Sequence, residues 1–172
     1  LVALAIEAPE KTDPGYMAIY DASTLERLGM VQVGAQPDMV TFTPDGNTVL
    51  TANEGEPNDD YSVDPEGSIS VIDITDPANP QPRTADFSAY NGQEASLRQS
   101  GVRIYGPGAN AARDLEPEYV AVSADSATAW VTLQENNALA KVDIASASIT
   151  DILPLGSKDH GEDGNGLDAS DE

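Results

Sequence analysis

This chain repeats itself, and the repeat limits its possible folds more than any other feature. With an offset of 80 positions, Pro37-Asp38-Met39-Val40-Thr41-Phe42-Thr43-Pro44-Asp45-Gly46 falls on Pro117-Glu118-Tyr119-Val120-Ala121-Val122-Ser123-Ala124-Asp125-Ser126. The register continues without a gap from Asn47-Thr48-Val49-Leu50-Thr51-Ala52 onto Ala127-Thr128-Ala129-Trp130-Val131-Thr132. Each copy is an apolar, β-branched run, a turn centred on Asp45-Gly46 or Asp125-Ser126, and a second such run, which is the pattern of a β-hairpin. A polar loop and a third run ending in Asp follow, Ser68 to Asp73 in one copy and Ala138 to Asp143 in the other. Tyr16 to Asp21 repeats that third run upstream, introduced by Gly15 as the later one is by Gly67. Fourth strands are expected at Leu28 to Val33 and Ile149 to Leu155. A unit of about four short antiparallel strands in roughly 40 residues is the size of one β-propeller blade.

The expected fold is therefore all-β: a partial β-propeller of nearly three four-stranded antiparallel blades with one short inserted helix. Residues 1–33 read as part of a first blade, 34–87 as a second, 88–113 as an insertion, 114–155 as a third, and 156–172 as an acidic loop leading to a further blade. The blade pattern breaks off between Asp73 and Glu116. There Asn91-Gly92-Gln93-Glu94 reads as a helix N-cap with its capping-box Glu, and Gly101 as the stop. A helix is expected from Gly92 to Gln99, then an extended Val102 to Tyr105 and a Gly-Pro-Gly loop. Leu1 to Ile6 has neither the basic flank nor the small-residue cleavage site of a signal peptide and reads as a strand entered part-way through a fold. Nearly three blades cannot close a ring, so the remaining blades of a longer chain are the expected partners.

Charge narrows the function. Thirty Asp and Glu stand against eight Lys and Arg, a formal charge of −22, and the scattered cations offer a nucleic-acid backbone no basic face. The absence of Cys excludes a disulfide scaffold and a zinc–thiolate site. No run approaches the roughly 18 apolar residues of a membrane span. The acidity fits cation binding, a salt-rich habitat or solubility alone.

Longer motifs carry a family likeness. Gly34-Ala35-Gln36-Pro37-Asp38-Met39 through Pro44-Asp45-Gly46 to Ser70-Val71-Ile72-Asp73 resembles a YVTN-type propeller repeat. Thr51 to Tyr61, Gly101 to Gly108, Asp114 to Tyr119, Thr132 to Ala138 and Gly164 to Asp171 resemble the choice-of-anchor I family. That resemblance implies an exported bacterial propeller, extracellular, periplasmic or on the cell surface, often followed by an anchoring segment. Members frequently carry the labels alkaline phosphatase-like or mesenchyme-type surface glycoprotein.

Strand direction places the loop into a blade's innermost strand and the loop between its second and third strands on one face. Glu7, Asp38, Asn53, Glu54, Glu56, Asp59, Asp60, Asp114, Glu116, Glu118, Glu135 and Asn136 are thereby expected on a common rim. Crowded carboxylates destabilise a folded state unless cations offset them, and all-oxygen ligands suit Ca²⁺ or Mg²⁺. Glu116, Glu118, Glu135, Glu54 and Asp38 are the candidate metal ligands; His160, Lys158 and Asp168 are the candidate ligand-binding residues. Turn chemistry supplies a plainer origin for much of the acidity, because turns favour Asp and Asn for backbone reasons. The Asp163 to Asp168 segment alternates oxygen-bearing residues but lacks the fifth-position ligand and closing Glu of an EF-hand.

No catalytic motif is present. Gly106-Pro107-Gly108-Ala109-Asn110-Ala111 matches a dinucleotide fingerprint, but Pro117 lies too close downstream for a helix to start cleanly, so a loop is expected. Trp130, Tyr119 and Tyr105 are expected to pack within strands. The function read from the sequence is an exported propeller module that binds a partner or ligand on an acidic, Ca²⁺-dependent rim. The alternative is a metal-dependent phosphoesterase, in which His160 and Lys158 would contact a phosphate ester.

Overall fold

Short β-branched runs joined by Asp-Gly and Asp-Ser turns form hairpins, and the computed structural model, which describes residues 1–166, assembles them into three antiparallel sheets. The first contains β1 (Val2–Ile6), β2 (Pro14–Tyr20) and β3 (Arg27–Ala35). In the second, β4 (Pro37–Phe42), β5 (Thr48–Asn53), β6 (Ser68–Asp73) and β7 (Gln81–Asp86) pair in chain order. The third repeats this with β8 (Val120–Val122), β9 (Thr128–Leu133), β10 (Ala138–Asp143) and β11 (Ser148–Pro154). The chain is an all-β partial propeller.

The repeat holds down to individual hydrogen bonds. In the β4–β5 turn, Thr43 Oγ1 donates to Asp45 Oδ1 at 2.6 Å and accepts from Thr48 N at 3.1 Å. In the β8–β9 turn, Ser123 Oγ donates to Asp125 Oδ1 at 2.6 Å and accepts from Thr128 N at 3.0 Å. Gly46 and Ser126, the next residues, both have positive φ, 75° and 60°. The Asp that closes each third run also has a local task. Asp21 accepts from Ser23 and Thr24, Asp73 from Thr75 and Asp143 from Ser146, and these donors hold all three carboxyls below their usual range. Part of the chain's acidity is thus turn chemistry.

One blade strand does not announce itself in the sequence. β7, Gln81-Pro82-Arg83-Thr84-Ala85-Asp86, pairs with β6 along its whole length, yet it lies in the stretch that breaks the blade pattern. Its only buried residue is Ala85, so it needs no apolar alternation, and Pro82 is tolerated at a sheet edge.

The sheets stack face to face. Met17, Ile19 and Val33 of the first sheet pack on Val49 and Ile72 of the second. The opposite face of the second sheet, Leu50, Ala52, Ile69 and Val71, packs on Ala129, Val131, Leu133, Ala138, Ala140 and Val142 of the third. Glycines make the close approaches. A Cβ at Gly15 would lie 2.6 Å from Pro37 Cδ, and one at Gly67 would lie 2.8 Å from Pro117 Cδ and 2.0 Å from the Leu115 carbonyl oxygen. Each glycine that introduces a third strand therefore abuts the proline that opens the next sheet.

The insertion differs from the sequence expectation. After a 3₁₀ turn at Ser88–Tyr90, helix α1 spans Glu94–Ser100, and Gln93 at its N-cap makes no side-chain capping bond. Gly101 does stop the helix, in a left-handed conformation at φ 107°. The expected capping box of Asn91 and Glu94 is not formed. Instead Glu94 Oε1 accepts from Gly92 N and Ala111 N, and Asn91 Oδ1 accepts from Ala112 N. Both side chains thereby cap a second, single-turn helix, α2 (Ala111–Asp114), whose own Asn110 accepts from Arg113 N. These three side chains satisfy the amides of the turn's first three residues, so a helix does begin after the Gly-Pro-Gly loop, but it lasts only four residues. The insertion's Leu97, Val102 and Ile104, with Phe87 and Leu115 at its two ends, complete the core between the second and third sheets. No helix among the described residues is long and apolar enough to cross a membrane.

Candidate functional site

Register puts the unusual polar residues at one end of the sheets. Pro37 pairs with Asn53 and Asn53 with Ser68 in the second sheet; in the third, Leu133 pairs with Ala138, and Glu118 N donates to Thr132 O. The loops at 34–36, 54–67, 115–119 and 134–137 therefore open together. Along this rim the five candidate metal ligands interact electrostatically.

Glu54 and Asp38 form one knot. Glu54 is only 6% exposed. Burial first, then a hydrogen-bonded contact with the Asp38 carboxyl and the negative charges of Glu56 and Glu118, push its carboxyl up to about 9. Gln36 bridges beside it: its Nε2 donates to Glu54 Oε2 at 2.7 Å and to Glu56 Oε2 at 3.0 Å. Lys11, from the β1–β2 loop, bonds the same Glu56 oxygen at 3.1 Å. With two donors, Glu56 lies below its usual range.

The second knot surrounds a cleft of about 320 Å³ lined by Lys11, Glu56, Tyr61, Tyr105, Glu116 and Glu135 among others. Burial, then the charges of Glu56 and Glu135, push Glu116 up to about 7. Burial and the Glu135 charge also raise Glu118, although Gln134 Nε2 donates to its Oε1 at 2.6 Å and works the other way. Tyr105 Oη donates to Glu135 Oε2 at 3.3 Å, and burial with the charges of Glu116 and Glu135 raises the phenol to about 12. Tyr105 is 56% exposed and Tyr119 64%, and both stand outside the core. Trp130, on the outer face of β9, lies 5.7 Å below the Lys141 ammonium. Trp130 therefore packs across the strands on its partner Lys141 as expected, whereas the expected strand packing of Tyr105 and Tyr119 is corrected, because both lie outside the strands on the exposed rim.

Buried amides and carboxylates hold the rim's shape. Asn136 donates to Arg103 O at 2.9 Å and to Asp114 O at 2.6 Å, and accepts from Glu116 N at 3.1 Å. Asp114 accepts from Tyr105 N and Gly106 N, so its carboxylate is committed to fixing the insertion. Asn53 turns inward, toward Ser68 and Ser70, and does not reach the rim. Asp60 is engaged by Ser62 in a local turn.

Among the described residues, no three or more acid or histidine side chains stand at metal-ligand spacing. His160 and Lys158 are exposed on the loop after β11; His160 Nδ1 lies 2.6 Å from Asn165 O. Neither is among the groups that shift Glu54, Glu116 or Glu118 most. Asp168 lies outside the described residues. The sequence reading missed Gln36, Lys11 and Tyr61. For Gln36 a signal was available, since the 80-residue offset lays it on Glu116, immediately before the proline that opens each blade.

Comparisons with known proteins agree with this fold. Among solved structures, the chain is similar to Kuenenia stuttgartiensis hydrazine synthase, with a TM-score of 0.57 at 8% identity, over 88% of this chain and 46% of that one. This chain thus spans under half of that relative, and at such low identity the likeness concerns the fold alone. A eukaryotic initiation factor aligns at a TM-score of 0.46 and 15% identity, over 80% of this chain and 26% of that one. No curated protein matches the sequence. The family match covers residues 1–172, and the chain belongs to the choice-of-anchor I domain family.

Proposed function

We propose that this chain is part of an exported, cell-surface or secreted β-propeller module that binds a partner or ligand on its acidic rim with the help of Ca²⁺. Residues 1–33, 34–87 and 114–155 act as its blades, with 88–113 inserted between the second and third. Family membership supports a surface module. The single observation that carries the reading is the convergence of Asp38, Glu54, Glu116, Glu118 and Glu135, from two repeat units, on one rim where burial and mutual repulsion raise Glu54, Glu116 and Glu118. Such a rim is destabilised by its own charge and gains from a cation that draws the carboxylates together. A hard, oxygen-seeking ion with tolerant geometry suits a site assembled on binding. Calorimetric titration of the full-length protein with Ca²⁺ and Mg²⁺ tests this. Saturable heat in the millimolar range or below is the expected result; no heat with either ion removes the cation from the account.

A further inference from the structure

The amide of Gln36 is not satisfied by the protein around it. The residue is 9% exposed, and its Oε1 is buried with no hydrogen-bond partner, while Nε2 of the same amide is clamped between Glu54 and Glu56. Reversing the amide does not help, because its oxygen would then face the Glu56 carboxylate, which its hydrogen-bond donors hold below its usual range. A buried acceptor left unpaired is costly, as are facing anionic oxygens, so neither orientation satisfies this group on its own. The backbone holds the residue in place: Gln36 has φ 51°, and its carbonyl accepts from Glu54 N at 2.9 Å. A cation beside the amide would resolve both conflicts, because a side-chain amide oxygen is a normal neutral ligand for a hard divalent ion and the carboxylates supply the charge.

We infer that Gln36 Oε1 and the carboxylates of Glu54 and Glu56 form a divalent-cation site at the seam between the first and second sheets. This rests on the cation-binding reading of the rim and deepens it by assigning the ion to one seam and adding a neutral ligand absent from the acidic set. Gln36 then plays two parts. Without metal its amide nitrogen bridges Glu54 and Glu56, and with metal the amide turns over and its oxygen coordinates.

Ca²⁺ affinity of the full-length protein and of Gln36→Met, Gln36→Glu, Glu54→Gln and Glu116→Gln variants tests the assignment, with thermal melting in chelator as the folding control. Gln36→Met and Glu54→Gln are expected to weaken Ca²⁺ binding by about tenfold or more. Gln36→Glu is expected to bind at least as tightly as the parent, since it keeps an oxygen ligand and adds charge. An amide that served only as a hydrogen-bond donor would give the reverse, because a carboxylate there repels Glu54 and Glu56. Should Gln36→Met fail to fold, the Gln36→Glu result decides. Weakened binding by Gln36→Glu overturns the site, as does parental affinity in Gln36→Met with loss in Glu116→Gln; rim calcium binding would then survive elsewhere. No Ca²⁺ binding by the parent removes both readings.

Discussion

The second and third sheets share one repeat and one hydrogen-bonded turn, yet their hearts differ in chemistry. On the face of the second sheet toward the first lies a polar quartet: Thr51 donates to Asn53 Oδ1 at 2.9 Å, and Asn53 Nδ2 donates to Ser68 at 3.2 Å and Ser70 at 3.0 Å. By register, the third sheet has Val131, Leu133, Ala138 and Ala140 in these places. The difference follows from what packs against each face. Gly34 of β3 presses on the quartet so closely that a Cβ there would lie 2.7 Å from both Asn53 Cβ and Ser68 Oγ, a narrow seam suited to small polar groups that satisfy one another. The third sheet meets the apolar face of the second and the apolar residues of the insertion. Their rims also exchange roles. In the second sheet an amide before β4, Gln36, bonds an acid after β5, Glu54; in the third an acid before β8, Glu118, is bonded by an amide after β9, Gln134. A repeat preserves the scaffold while its seams and rims diverge.

The seams are the most direct place to break this comparison. Gly67→Ala forces a Cβ against the Leu115 backbone oxygen, and unfolding in urea should show a loss of about 3 kcal/mol or more. Gly15→Ala, whose nearest contacts lie at 2.6 Å, should lose less. Equal effects would mean that the two seams do not differ in tightness.

Next come the two buried asparagines. Asn136→Ala leaves Arg103 O, Asp114 O and Glu116 N without their side-chain partner and should cost about 3 kcal/mol. Asn53→Ala orphans only hydroxyls that can turn elsewhere and should cost about 1–2 kcal/mol. Urea denaturation of both variants ranks them; the opposite order would show that the polar quartet, not the Asn136 knot, dominates.

The remaining expected effects concern pH. Glu54 titrates near 4.5 when unfolded and about 9 when folded, so the folded state holds a proton that the unfolded state has released. Its contribution is complete below about pH 4.5 and is lost as pH rises through about 9. For Glu116 the loss ends near pH 7. In metal-free buffer, Glu54→Gln should flatten the fall in melting temperature from about pH 4.5 to about 9, and Glu116→Gln only the part from about pH 4.5 to about 7. Identical pH profiles in parent and variants would contradict the raised carboxyls.

Much of the fold was legible because hairpin periodicity and turn residues are local signals. The 80-residue offset located β4, β5, β8 and β9, and the Asp-ended runs located β2, β6 and β10. β7 was hidden because an edge strand with one buried residue carries no alternation to read. The capping assignment failed for a different reason. Asn91 and Glu94 have the right spacing for a local cap, but their oxygens are taken by amides 17 and 21 residues away, and no local pattern encodes that choice. At the site, strand direction alone brought Asp38, Glu54, Glu116, Glu118 and Glu135 to one rim. Gln36 was overlooked because an amide carries no charge to flag it, and its importance lies in a partner it lacks.

The central claim is that this gathering of carboxylates requires a divalent cation and does not simply reflect acidity or adaptation to salt. Thermal unfolding of the full-length protein at constant ionic strength, with and without millimolar Ca²⁺, tests it most directly. The account predicts a clear rise in melting temperature with Ca²⁺ that NaCl at equal ionic strength does not reproduce. An equal rise with both salts, or none with Ca²⁺, would contradict it.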